Sequence, residues 1–134
     1  MNQILKQMQL NNYHKMNSKK IEETESFSAQ EGAHIRQIFS PADTDNAIRY
    51  SLAHCTINPG NSSKSHTMKT SEIFYILQGS GIMHVGTEQK EITKNETIFV
   101  PPMSKQFIEN NGEIDLIALC IVDPAWKQED EIIE

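Results

Sequence analysis

A histidine and a glutamate stand six positions apart in the stretch HTMKTSEIFYILQGSG, residues 66–81, and their types suit metal chemistry. His66, Met68 and Glu72 are separated by even numbers, so an extended chain directs their side chains to one face. A neutral imidazole and a carboxylate bind Fe, Mn, Ni, Co and Zn, whereas the soft thioether of a methionine suits such a site poorly. The stretch therefore predicts half of a metal site on a β-strand, with Met68 packed beside the metal.

Two spaced patterns extend this observation to a second part of the chain. Residues 60–79 begin and end with glycine, and their spacing resembles the first motif of the cupin family, G-x5-H-x-H-x3/4-E-x6-G. Residues 95–110 resemble the second motif, G-x5-P-x-G-x2-H-x3-N. The resemblance covers roughly residues 33–125. The positions that carry it are Gly60, His66, Met68, Glu72, Gly79, Asn95, Pro101, Met103, Gln106 and Asn110.

The departures from the family pattern fall mainly on the metal ligands. In the family, three histidines and a glutamate hold one divalent metal inside the barrel, but here Met68 and Gln106 replace two of the histidines. Carried over by position, the resemblance implies that His66, Glu72 and Gln106 bind a divalent first-row transition metal (Fe, Mn, Ni, Co or Zn). The alternative is a cavity lined by the same residues as satisfied polar groups.

A largely apolar pocket around the metal follows from the same reasoning. His54 lies in SLAHCTI, where it could replace a missing ligand or act as a base, although the alternate positions 53, 55 and 57 form the more apolar face. Cys120 either faces the metal, as the last strand does in similar small cupins, or is a packing thiol. The candidate lining residues are His54, Met68, Phe74, Ile76, Ile108 and Cys120.

Eight short apolar segments must position these side chains, and turn residues separate them. No stretch between residues 30 and 122 has a helical period, so the chain is predicted to be all-β, as an antiparallel barrel or double-sheet jelly roll. The resemblance specifies a single-domain cupin jelly-roll β-barrel, also called a double-stranded β-helix. The predicted strands cover residues 34–39, 49–57, 72–78, 81–85, 90–93, 96–100, 105–109 and 115–122.

The two ends of the chain differ in composition from its middle. Residues 1–30 are polar and contain no proline or glycine, which predicts a flexible tail, with a marginal helix as the alternative. Residues 31–125 would form the barrel, and residues 126–134 an acidic end. A chain of 134 residues is long enough for one domain with a core of its own.

Charge and hydropathy exclude two classes of partner. A net charge of −6 argues against nucleic acid, and no segment approaches the ~18 apolar residues that span a membrane. The N-terminus lacks the apolar core of a signal peptide. Cys55 and Cys120 each lie in an apolar run, so we expect two buried thiols in the cytoplasm, with a disulfide as the alternative.

The expected function is that of a small metalloenzyme acting on a small organic molecule. Dioxygenase, isomerase and lyase chemistry all suit a metal that polarises a carbonyl, a hydroxyl or O₂. The alternative is a non-catalytic module that binds a sugar or another metabolite, and no catalytic residue is assigned. Similar cupins commonly pair through their sheets, sometimes exchanging N-terminal strands, so the resemblance also implies a homodimer.

Overall fold

Antiparallel β-strands make up most of the computed structural model, which describes residues 2–7, 15–30 and 33–133. A helical turn covers residues 3–7, and 3-10 helices cover Ile21–Glu23, Pro41–Asp43 and Gln128–Asp130. The strands are β1 (Ser26–Gln30), β2 (Ala33–Phe39), β3 (Ser51–Ile57), β4 (His66–Met68), β5 (Ser71–Gln78), β6 (Ser80–Val85), β7 (Glu88–Thr93), β8 (Thr97–Val100), β9 (Lys105–Glu109), β10 (Leu116–Asp123) and β11 (Glu131–Ile133).

The strands form two antiparallel sheets. Sheet A has six strands in the order β1-β2-β3-β10-β5-β8, and sheet B has five in the order β11-β4-β9-β6-β7. All eight predicted strands are present, and the all-β prediction is confirmed. Within the described residues, no helix is long and apolar enough to cross a membrane.

The core lies between the two sheets and follows the alternation of the strands. Along β3, every second residue from Ser51 to Ile57 is buried, and β10 shows the same alternation as far as Val122. Removing a large aliphatic side chain from water contributes about 1.5–3 kcal/mol, so the alternation fixes which face of each strand turns inward. Five of the largest fully buried side chains come from both sheets: Ile57, Ile76, Ile92, Ile108 and Leu116.

Three strands, β1, β4 and β11, are missing from the predicted strand ranges, and β1 and β11 lie in the predicted tail and the predicted acidic end. Strand β1 pairs with β2, and β11 pairs with β4. Nearby, the Arg36 guanidinium donates to the carbonyl of Ile21 at 3.2 Å, and Lys19 forms a 3.2 Å ion pair with Asp43. Backbone pairing and such contacts need no apolar alternation, which explains why the sequence pattern missed them. The flexibility predicted for residues 1–30 stays a prediction, and residues 1 and 8–14 lie outside the described residues.

Candidate functional site

Glu72 and Gln106 meet between the two sheets. Glu72 lies on β5 of sheet A and is 8% exposed, and Gln106 lies on β9 of sheet B and is 1% exposed. Burial raises the pKa of the Glu72 carboxyl to about 8, the nearby Gln106 amide opposes that shift, and the charge of Glu131 adds to it. Without a cation beside it, Glu72 is therefore mostly protonated at neutral pH.

Unpartnered buried polar atoms concentrate around this pair. Glu72 Oε1 and both polar atoms of the Gln106 amide are buried with no hydrogen-bond partner, so the two side chains are close without being well aligned. The only other such side-chain atoms in the described parts of the chain are Ser65 Oγ and Thr70 Oγ1, which flank β4. Each unmade hydrogen bond costs about 1–3 kcal/mol. Such a cluster needs an explanation, and a bound ion, ligand or water at this place would supply the missing partners.

His66 lies beside this pair on strand β4. It is directly opposite Gln106 in the antiparallel pairing of β4 with β9. Its Nδ1 is 2.6 Å from the carbonyl oxygen of Lys64. A carbonyl only accepts, so Nδ1 carries the hydrogen, and the Nε2 of the neutral ring keeps its lone pair. This tautomer allows a histidine to bind a metal through Nε2 while its Nδ1–H donates to the backbone.

The loop before β9 has an unusual backbone conformation and is hydrogen-bonded to β4. Met103 has a φ of 65°, and its N–H donates to the carbonyl of Met68 at 2.7 Å. Asn95, in the turn before β8, has a φ of 73° and donates to the carbonyl of Ile76 at 2.8 Å. The second motif has glycine at both of these positions. The left-handed backbone is therefore kept here although the residue types differ.

The donor set fits a divalent first-row metal. His66 offers an imidazole nitrogen, and Glu72 and Gln106 offer oxygens that have no protein hydrogen bond. Among the residues that the structure describes, no three histidine, cysteine, aspartate or glutamate side chains cluster as a metal site. The predicted set contains only two residues of those types, so it depends on the Gln106 oxygen, and it stays a prediction.

The predicted lining residues divide between the two faces of the strands. Five of them, Met68, Phe74, Ile76, Ile108 and Cys120, are buried inward. His54 instead lies on the opposite face of β3, because Ala53 and Cys55 take the inward positions. There it is paired with Arg36 on β2 and Leu119 on β10. Burial and the charge of Arg36 lower the pKa of His54, so the ring is neutral at neutral pH.

The two cysteines are buried, free thiols on adjacent inward positions. A hydrogen bond with Cys55 and burial raise the pKa of Cys120 well above its usual range, and the negative charge of Glu72 adds to the effect. Cys120 therefore remains a protonated thiol that faces the same interior as Glu72. Thiols in that state are poor nucleophiles, which favours packing as their role.

One residue near the site, Glu131, was not predicted from the sequence, whereas Trp126 was expected as a lid or a dimer contact. Glu131 on β11 lies directly opposite Met68 on β4, and its carboxylate accepts a 3.1 Å hydrogen bond from the Trp126 indole N–H. The available signal was weak, consisting of two isoleucines between acids in the segment DEIIE. A three-residue strand leaves too little alternation to be recognised.

Comparisons with known proteins agree with this architecture. A family model described as the Cupin domain matches residues 53–122. The chain is 36% identical over 110 residues to an uncharacterised protein of Methanocaldococcus jannaschii, MJ1618, spanning 81% of this chain and 87% of that protein. A predicted oxalate decarboxylase from Thermotoga maritima superposes with a TM-score of 0.69 at 24% identity, covering 79% and 97% of the two chains. The polyketide cyclase RemF from Streptomyces resistomycificus also gives a TM-score of 0.69, at 16% identity over 81% and 79%. At these identities the two structures show the shared fold alone.

Proposed function

The chain belongs to the cupin family, and on that premise we propose that it is a metal-dependent enzyme acting on a small organic molecule bound between the sheets. The supporting observation is the buried Glu72–Gln106 pair, in which Glu72 Oε1 and both polar amide atoms of Gln106 have no hydrogen-bond partner, beside the Nε2 of His66. A carboxyl group with a pKa near 8 is a poor structural element, because a hydrogen-bonded or apolar residue would cost less. A cation at this point would return Glu72 to its charged form.

The residues around the pair suit a substrate with one chelating end. A bound divalent metal would supply Lewis-acid polarisation of a carbonyl or hydroxyl oxygen. Phe74, Ile76 and Ile108 would contact the remainder of the substrate and exclude water. Dioxygenase, isomerase and lyase reactions all remain within this proposal, because the fold hosts many chemistries.

Elemental analysis tests the proposal most directly. Protein purified without added metal, or titrated with Fe, Mn, Ni, Co and Zn, should hold one equivalent of a first-row ion. Glu72→Gln should lose it, because the only anion of the set is removed, and the exposed matched control Glu88→Gln should retain it. Wild-type protein that neither carries nor takes up metal would overturn the proposal.

A non-catalytic binding module is the second candidate. It is favoured by the replacement of two histidines by Met68 and Gln106, and by a Glu72 carboxyl that is protonated and can donate a hydrogen bond to a neutral ligand. A thermal-shift screen of metabolites with and without metal separates the two. A ligand that stabilises the metal-free protein equally well, survives unchanged and tolerates Glu72→Gln would favour the module.

The proposal includes a homodimer formed by the outward side of sheet A. Two rows of residues cross its strands there, Leu52–Ile121–Ile73–Phe99 and His54–Leu119–Tyr75–Thr97, and we call these eight residues the outer face. Phe99 is 61% and Ile73 is 42% exposed. The cytoplasm is the proposed compartment, since both thiols are free.

A second copy is the occupant that the outer face suits best. It contains no Asp, Glu, Lys or Arg, whereas the chain carries a net charge of −6, so two molecules repel one another least when they meet here. Strand spacing gives the two rows an area of roughly 300 Å². A stable dimer buries about 800 Å² per partner, so these rows would form the apolar centre of an interface with a polar rim.

A further inference from the structure

The segment after β10 connects the two sheets beside the candidate site. Strand β10 ends in sheet A at Asp123, and β11 joins the edge of sheet B. Between these strands, the backbone N–H of Trp126 donates to Ser51 Oγ at 3.0 Å. The Lys69 N–H, which follows β4, donates to the carbonyl of Asp130 at 2.9 Å. We call residues 124–133 the C-terminal crossing. It is hydrogen-bonded to sheet A at Ser51 and to sheet B next to β4, the strand that carries His66.

The register of β11 turns Glu131 toward the site. Glu131 is directly opposite Met68, and residues opposite each other in an antiparallel pair share a face. Met68 is 2% exposed and lies on the inward face, so Glu131 projects to the same side. Its carboxylate lies close enough to Glu72 for its charge to act on that buried carboxyl.

The Trp126 indole holds this carboxylate while leaving it able to bind more. One oxygen of Glu131 accepts the indole N–H at 3.1 Å. A carboxylate has about four acceptor positions, so most of its capacity remains. The Trp126 ring is 47% exposed, so part of it can contact another molecule beside Glu131.

We propose that Glu131 and Trp126 form the outer wall of the binding site, and that the bound molecule carries a hydroxyl or ammonium donor at the end opposite its chelating group. This inference rests on the proposed function. Glu131 accepts the donor, Trp126 fixes the carboxylate and covers the apolar part of the molecule, and the unpartnered Glu72 and Gln106 atoms receive the chelating end with the metal. Glu131 is a specificity-determining residue in this scheme.

A purely structural role for β11 makes the opposite prediction. Covering the edge of sheet B needs only the backbone bonds to β4, which any side chain at position 131 would allow. A carboxylate at position 131 then only disfavours the charged form of Glu72 and contacts no bound molecule. If that role were the whole explanation, removing the Glu131 charge would lower the pKa of Glu72 and leave ligand selectivity unchanged.

Trp126 provides the test, because it is the only tryptophan of the chain. The metal-loaded protein is titrated with straight-chain ω-amino, ω-hydroxy and unsubstituted carboxylic acids of matched length, and the tryptophan emission is followed. In the wild type we expect the donor-bearing acids to change the emission and to bind about tenfold more tightly than the plain acid, as a charge-assisted hydrogen bond implies. Glu131→Ala should reduce this preference to about one, and the exposed neighbour Glu129→Ala should keep it.

Metal content measured on the same samples separates this inference from the proposed function. Wild-type protein without metal overturns the proposed function, whereas metal-loaded protein that binds all three acids equally overturns the wall alone. A donor preference that survives Glu131→Ala overturns it too, as does the absence of binding by every acid. Trp126→Phe keeps an aromatic ring but lacks the N–H, and with calorimetry replacing fluorescence it should weaken the preference partially.

Discussion

Each side of sheet A carries an exception to the usual distribution of polar and apolar groups. The inward side holds Glu72, a buried carboxyl with an oxygen that makes no hydrogen bond, and the outward side exposes Ile73, Tyr75 and Phe99. In an isolated monomer both arrangements are unfavourable, since unpaired polar groups belong in water and large apolar groups away from it. Both exceptions support the proposals made above, that a ligand completes the inward side and a second copy completes the outward side.

A single strand carries both sides of this comparison. Along β5, Glu72 and Phe74 are buried while Ile73 and Tyr75 are exposed, so consecutive residues serve different purposes. Substitutions on β5 and its neighbours can therefore alter one side without the other.

Glu72→Gln should stabilise the metal-free protein, most strongly in alkaline solution. Because burial raises the pKa of Glu72 from 4.5 to about 8, the folded state binds more protons than the unfolded state across that range. Stability is then lost as pH rises through it, by at most about 1.4 kcal/mol per pH unit. Urea denaturation of both proteins across this pH range would measure the difference in stability. If both stabilities depend on pH in the same way, the pKa of Glu72 is not raised.

Ile73→Lys should dissociate the dimer. A charge at the centre of the outer face must lose its water on assembly, and its partner in a symmetric interface is another lysine. We expect the dissociation constant to rise about a hundredfold or more by analytical ultracentrifugation. Ile114→Lys, at an exposed position outside the outer face, is the control and should leave it unchanged. A monomeric wild-type protein would contradict the proposal that the outer face forms a dimer interface.

Gln106→His should tighten metal binding by about tenfold. An imidazole nitrogen is a better donor than an amide oxygen for first-row ions, and position 106 is already buried beside Glu72. Competition against a chelator measures the change, with Gln78→His, exposed on the same barrel, as the control. Met68→His should act in the same direction. Unchanged affinity in both variants would place these positions outside the metal's coordination sphere.

Acidification should weaken the dimer several-fold through His54. Burial and Arg36 lower the pKa of this ring, so the neutral form is favoured in the folded protein. Burying the ring further in the interface would lower its pKa again, so in acid the dissociated chains take up the proton more readily and association is progressively lost. His54→Gln should flatten the pH dependence between about pH 5 and 7. A wild-type dimer whose affinity is constant across this range would exclude His54 from the interface.

Eight strands could be predicted because each is a short apolar segment between turn residues, and four of them, β3, β5, β9 and β10, also bury alternate side chains. The pattern at residues 53–57 also predicted correctly that Ala53, Cys55 and Ile57 take the inward face, which leaves His54 outside. Strands β4 and β11 were missed because three-residue strands rely on backbone pairing with distant parts of the chain, and β1 was missed because its sequence SFSAQ is mostly polar. For the site, the motif spacing identified Glu72 and Gln106, which the fold brings together. Glu131 could not be found in that way, since its position depends on the path of the C-terminal crossing.

The backbone conformation of Met103 affects how related chains can be recognised from their sequences. Its φ of 65° is costly for a side chain with a Cβ, by roughly 1–2 kcal/mol, and the hydrogen bond to the Met68 carbonyl helps to hold it there. A pattern of letters that demands glycine at positions 95 and 103 would reject this chain. A pattern of backbone torsion angles would accept it, because at these turns the shared character is a conformation and the amino acid is only one way of reaching it.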